Sequence, residues 1–220
     1  PFGNFSVNDD AIADKDLKDK IHNYFFAKGL SKIKEGGILA YITTDGFLNS
    51  PSNKAAREYL FHNSNFISLS IMPDNLMKDT GNTEAPSHLL IVQKQTGKKD
   101  ITTHEQTLIE TSEQQNEFGV YHINRYIVLH PKIILGNEIK PGKNQYGRAT
   151  ETIWQKGDIH LIADKLASTI AEGIQKRFNQ QSFSLSPVDR KQTPGKLLTY
   201  TSMPENKADG SSVQLGLFDV

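Results

Sequence analysis

The chain has 220 residues, 36% hydrophobic and 23% charged, with Lys plus Arg and Asp plus Glu each totalling 25. That length suffices for one substantial domain with a polar appendage. The balanced charge argues against a wholly basic nucleic-acid-binding module but leaves room for a local basic patch. Cysteine is absent, which removes disulfides, thiolate catalysis and Cys-ligated zinc, and no apolar run is long enough to span a bilayer. The first residues do not read as a signal peptide, so a reducing, cytoplasmic setting is expected.

In chain order, residues 14–35 read as a helix. Leu17, Ile21, Tyr24 and Phe25 fall on one face, and Leu30 and Ile33 continue the stripe. Gly36-Gly37 stops it. The apolar run at residues 38–43 lacks polar alternation and predicts a strand covered on both faces. Asp45-Gly46 and Pro51-Ser52-Asn53 mark loops, with a helix following to about residue 62. Residues 65–72 and 88–94 predict two more strands, separated by a polar loop at 73–86. Alternating strands and helices favour a parallel sheet, whereas the last two strands, with no helix between them, are expected to pair antiparallel at its edge.

Composition shifts near Lys99. Between Lys99 and Phe118 there are five acidic residues and one basic; between Gly119 and Lys156 there are six Lys or Arg against two Asp or Glu. The second stretch also carries Tyr121, Tyr126, Tyr146 and Trp154. Residues 158–178 predict another helix, with Ile162, Leu166, Ile170 and Ile174 in step. From residue 179 the chain is polar and expected to be mostly disordered.

The residues able to carry chemistry lie mainly in the first half. The opening Pro1-Phe2-Gly3-Asn4, the Gly36-Gly37 turn, Asp45-Gly46-Phe47-Leu48, Met72-Pro73-Asp74-Asn75-Leu76, Thr80-Gly81-Asn82-Thr83 and His88-Leu89-Leu90-Ile91-Val92 follow one another in that order. Together they resemble the catalytic half of adenine-N6 DNA methyltransferases, which are class I S-adenosylmethionine-dependent enzymes. More narrowly, they are similar to the methylase portion of large helicase–methylase proteins of bacterial mobile elements. The resemblance covers residues 1–95 well and extends more loosely to about 178.

The resemblance implies an α/β fold: the C-terminal half of a Rossmann-like methyltransferase sheet, mostly parallel with an antiparallel last strand, plus a small extension and a long helix. Residues 1–98 would be the partial catalytic domain, 99–156 a variable extension, 157–180 a helix and 181–220 the tail. Pro1 and Phe2 would be the end of the family's Asn-Pro-Pro-(Tyr/Phe) loop, with Phe2 stacking on the flipped adenine. The strand ends after Ile42 and Ile71 would wall the pocket, and Asp45 would shape its loop. The family's Asn has no counterpart here, since Asn4 stands on the wrong side of the aromatic residue. A glycine-rich S-adenosylmethionine loop is also missing from the sequence. The resemblance therefore implies that the cofactor-binding half belongs to polypeptide before Pro1, that this piece binds no cofactor, and that it is inactive alone. Taken by themselves, the four opening residues also suit an ordinary turn.

Two DNA-contacting surfaces are candidates. Lys78 and Asn82 lie in the polar loop at 73–86, which otherwise reads as a solvated edge hairpin. Lys140, Lys143 and Arg148 surround Tyr146 in the basic stretch, which otherwise reads as a surface hairpin with its aromatics in a small core. The seven histidines form no metal-binding pattern. Gln214, Leu215, Leu217 and Phe218 resemble the short peptide by which bacterial proteins dock on the replication sliding clamp. An open strand edge in a half sheet predicts self-association that covers the first strand. The competing reading is a non-catalytic interaction or assembly module of a larger DNA-processing protein.

Overall fold

A computed structural model of the chain describes residues 7–185, Gln145 excepted. Pro1 and Phe2, and the clamp-like Gln214, Leu215, Leu217 and Phe218, lie outside the described residues.

The first helix, α1, spans Ile21–Lys32 and buries Asn23, Phe26, Ala27 and Leu30, the i, i+3, i+4, i+7 face of a packed helix. It is shorter than the predicted stretch. It crosses the strand β1 (Ile38–Thr44) very closely at Gly29, where an added Cβ would meet the Tyr41 hydroxyl at 2.6 Å. Phe26 stacks on Phe47 of the short helix α2 (Gly46–Asn49), with ring centroids 4.1 Å apart. A 3-10 turn at Pro51–Asn53 leads into α3 (Lys54–His62). There the buried Arg57 guanidinium donates to the carbonyls of Phe47, Ser50 and Ile109 at 2.8–2.9 Å. Three carbonyl acceptors, rather than a carboxylate, hold this buried cation, and burial draws its pKa down to about 10.

The strand β2 (Ser64–Met72) is buried almost throughout, and β3 (Ser87–Lys94) follows the short helix α4 (Lys78–Gly81). Their order is β1-β3-β2, with both ladders antiparallel. This overturns the expected mostly parallel Rossmann-like half sheet. All ladders among the described residues are antiparallel, in one three-stranded and two two-stranded sheets, and parallel pairing is confined to an isolated bridge between Ile71 and Ile134. The alternation of strand and helix correctly marks a crossover, because β1 and β2 run the same way through α3. What it misses is that β3 enters between them from the opposite direction. The last strand is thus central, not at the edge, and β1 is an edge strand.

The expectation that both faces of β1 are covered is corrected with it. Leu39 and Thr43 pack inward, while Ile38, Ala40 and Ile42 face solvent. The helix α7 (Leu161–Arg177) covers that side of the sheet, but over β2. Its Gly173 sits against the Ile67 carbonyl, where a Cβ would come within 2.6 Å. A β-bulge between Phe66 and Ser68 leaves Ile67 out of the ladder, and Arg177 donates to its carbonyl at 2.9 Å.

The helix α5 (Thr103–Ile109) starts with a capping box between Thr102 and Glu105. Glu105 also accepts from the Phe66 amide at 2.9 Å and pairs with buried Lys98 at 2.6 Å. Two hairpins follow where the sequence suggests one: β4 (Thr111–Asn116) with β5 (Gly119–Asn124), and β6 (Glu138–Lys143) with β7 (Ala149–Trp154). Between them run α6 (Arg125–Leu129) and a 3-10 turn at Pro131–Ile133. Regular structure continues past residue 179 in α8 (Gln180–Leu185), whose Ser182 backbone packs on Gly36. Gly36, at φ +72°, therefore serves a close helix approach.

Candidate functional site

The carboxyl ends of β1 and β2 and the start of β3 meet in one cleft. Beyond β1 come Asp45 and Asn49, beyond β2 comes Asp74, and His88 opens β3; Tyr121 of β5 and Glu151 of β7 face them. The cleft forms because the hairpins are tied to the end of β2. The Asp74 amide donates to the Ile153 carbonyl at 2.7 Å. Asn75 Nδ2 donates to the Gln155 carbonyl, and the Gln155 amide returns a bond to Asn75 Oδ1, both at 3.0 Å. The cavity volume is about 40 Å³, room for water but not for a planar base, so a larger guest would sit at its mouth.

Its ionisable groups are held in unusual states. Burial lifts the Asp74 carboxyl to about 7, with Asp45 and Glu84 adding repulsion that the Ile153 amide only partly offsets. Burial also raises the Asp45 carboxyl. The fully enclosed His88 imidazole is pushed down to about 3 by burial and is neutral. Burial and the neighbouring Glu151 carry the Tyr121 phenol to about 12. At neutral pH the cleft thus presents a neutral imidazole, a carboxyl near half protonation and a phenol.

Two atoms there lack partners. His88 Nδ1 and Thr43 Oγ1 are buried without a hydrogen bond, and the two residues are cross-strand neighbours in the β1–β3 ladder. Buried polar atoms are normally paired, so this end of the sheet holds unused donor and acceptor capacity.

The structure brings only some of the predicted residues together. Lys78 lies on α4, ion-paired with Glu84 at 2.6 Å and placed over the Trp154 ring at the end of β7. Asn82 caps α4 in the left-handed conformation, φ 45°. Lys140, Lys143 and Arg148 share the β6–β7 hairpin, but Lys140 is paired with Glu138 at 2.8 Å, and Lys143 lies over the Phe118 ring of the neighbouring hairpin. None of these five lines the cleft. Asp74, His88 and Glu151 do line it; Asp74 and His88 stand in segments that carry the resemblance, but none of the three was assigned a role from sequence. The available signals were an acid directly after an apolar strand and a histidine opening another. Among the described residues no group of His, Asp and Glu is arranged to hold a metal ion, and no helix is long and apolar enough to cross a membrane.

No protein-family model matches the chain, and no curated protein is significantly similar to it.

Proposed function

We propose that this chain is the catalytic-loop part of an S-adenosylmethionine-dependent DNA adenine-N6 methyltransferase of the kind joined to helicases in bacterial mobile elements, working in the cytoplasm. The observation that carries the reading is the cleft at the carboxyl ends of two strands running in the same direction. In parallel α/β sheets ligands sit beyond the carboxyl ends of the strands; β1 and β2 share that direction although β3 runs against both, and the residues after each, Asp45 and Asp74, belong to segments that resemble the family. Phe2 serves as the stacking face for an extruded adenine. A neutral imidazole and a phenol beside carboxyls, with no cation lining the cleft, suit an uncharged base edge better than an anion. The methyl donor is held by polypeptide other than residues 1–220. The adenine amino nitrogen attacks the donor methyl directly, helped by orientation and charge placement. Lys78, Asn82, Lys140, Lys143 and Arg148 contact DNA outside the cleft.

The test is methyl transfer to adenine in DNA by the longer protein containing these residues. Replacing Phe2→Ala is expected to lower kcat/KM by about 10- to 100-fold, the worth of one base–aromatic stack. Unchanged activity in that variant, or incorporation into cytosine alone, overturns the reading. Residues 1–220 by themselves are expected to bind S-adenosylmethionine weakly and to transfer nothing.

A second reading, a non-catalytic assembly module, rests on the edge of β1, unpaired among the described residues, with Ile38 and Ile42 at 39% and 49% exposure beside it. Under that reading the edge and the clamp-like terminus dock other proteins, and the longer protein methylates no DNA.

A further inference from the structure

A second cavity, of about 350 Å³, opens beside α1 and shares no lining residue with the cleft. It forms where the chain ahead of that helix is tied to it at two places. At the first, Asp9 accepts from Lys28 Nζ at 2.6 Å and from the Tyr24 hydroxyl at 2.9 Å. At the second, Asn23 Nδ2 donates to the Asp16 carbonyl at 3.2 Å. The cavity lies between the helix and the intervening turn at residues 11–14, whose short side chains Ala11 and Ala13 leave it open. Its apolar floor is Leu17 and Ala27, both buried, with the half-buried Ile12. From α3 the half-buried Tyr59 adds an aromatic ring.

The helix brings its polar groups to the cavity on one face, with Lys28, Ser31 and Lys32 grouped around Ala27. Most of them are already engaged. Lys28 is held by Asp9, the Ser31 hydroxyl donates to the Lys28 carbonyl at 2.7 Å, and Asp14 Oδ1 accepts from the Asp16 amide at 2.9 Å. Two lining groups are not. Among the described residues the Lys32 ammonium has no ion pair or hydrogen bond, and the Tyr59 hydroxyl has no hydrogen bond. Both of these free groups can donate. The floor thus suits an apolar body, the free donors suit a head that accepts, and the volume falls in the usual range of small-molecule sites.

We propose that this cavity binds a small organic anion, an alkyl or aryl body seated on Ile12, Leu17 and Ala27 with one carboxylate head taken by Lys32 and Tyr59. Lys32 is exposed at the end of a flexible stem, so its ion pair is screened by water and salt. Most of the affinity therefore comes from the buried body and grows with its length. Lys28 stays with Asp9 and keeps the turn in place. Asp14 is the one carboxylate that lines the cavity among the described residues, and it acts against an anionic head. The inference is separate from methyl transfer: it uses no residue assigned to that chemistry, and either can fail without the other.

Amide NMR of the 220-residue chain tests it, with sodium octanoate as the alkyl probe and sodium 2-naphthoate as the aryl one. A bound probe should shift the Ala13, Ala27 and Ser31 amide signals in a saturable way. Response to octanoate alone identifies an acyl chain as the body, response to naphthoate alone identifies a ring, and response to both identifies the shared head as the selected feature. Hexanoate, shorter by two methylenes, should bind about tenfold more weakly than octanoate. Octylamine, with the same body and the opposite head, should also bind more weakly. Lys32→Gln should weaken octanoate by about two- to fivefold and leave octan-1-ol unchanged, and Asp14→Asn should strengthen octanoate by a similar factor. Ala13→Phe fills the cavity from an exposed position and should abolish the shifts at Ala27 and Ser31, with thermal unfolding as the check that the fold survives. No saturable shift with either anion, octylamine binding as tightly as octanoate, or a folded Ala13→Phe protein that binds octanoate undiminished overturns the proposal.

Discussion

The cleft beyond β1 and β2 and the ring cluster of His104, Tyr126 and His130, which joins α5 to the end of α6, use overlapping residue types under opposite conditions. In the cleft, burial acts on single groups. His88 is fully enclosed and neutral, and Asp74 keeps its proton up to about 7. In the cluster, His104 is exposed, and desolvation, followed by the positive charges of Arg177 and His130, holds its imidazole below the usual range against the opposing Glu105. The lesson is that a histidine the sheet closes over is held neutral by burial, whereas one exposed on a helix responds to its charged neighbours as well.

The largest expected effects fall on the pH dependence of stability. Asp74 has a folded pKa of about 7 against an ordinary 3.8, so its contribution is present at low pH and lost as pH rises through 7. His88, at about 3 against 6.5, behaves in the reverse sense: its contribution is present above 6.5 and lost as pH falls through 3. Half-buried His22, lowered to about 4 chiefly by desolvation, adds to the His88 trend, and the raised Asp45 adds to the Asp74 trend. In the wild type these slopes oppose one another between pH 4 and 6.5. Removing Asp74 with Asp74→Asn should leave stability rising with pH across that window, and His88→Leu should leave it falling. Each change should span about 3 kcal/mol in urea unfolding. Parallel curves for the two variants would break the contrast between a buried acid and a buried base.

Next in size is association through the open strand. Ile42→Lys places a charge on the exposed face of β1 and should weaken self-association by about tenfold in sedimentation, the usual effect of a lysine on an unprotected edge. An unchanged dissociation constant would place any contact elsewhere. Thr43→Val removes a buried hydroxyl that has no partner and should raise stability by about 1 kcal/mol in the same unfolding assay, whereas a clear loss would mean that an ordered water serves it. The smallest effect belongs to the surface ring cluster: exposed His104→Gln should change stability by less than about 0.5 kcal/mol in the same assay, sharpening the distinction between a buried titrating group and a surface one.

Much of the local structure was legible because it depends on neighbours in sequence. The run at residues 38–43, the Gly36-Gly37 stop and the periodic apolar residues of α7 mark elements that form where expected. The shorter α1, the two hairpins and α8 show the limits of such reading. Residues 14–20 carry helical spacing but lie ahead of the helix, and the β4–β5 hairpin forms from a polar, acidic stretch with little alternation. The cleft was less legible. Asp45 drew notice as a loop residue, but Asp74 and His88 look ordinary until the strands are assembled, because nothing local reports how deeply a strand end will be covered. The same holds for the ring cluster of His104, Tyr126 and His130, which joins α5 to the end of α6.

Sequence alone determined the order and type of the main elements around the sheet, the absence of cysteine chemistry, and the segments that resemble an adenine methyltransferase. Those properties follow from residue identity and short-range periodicity. The tertiary structure alone decided that β3 runs between β1 and β2, that Asp74 and His88 share a desolvated cleft, and that His104 and His130 meet beside the Tyr126 ring. Each of these depends on hydrogen-bond partners and burial supplied by residues far away in the chain, which no local pattern encodes.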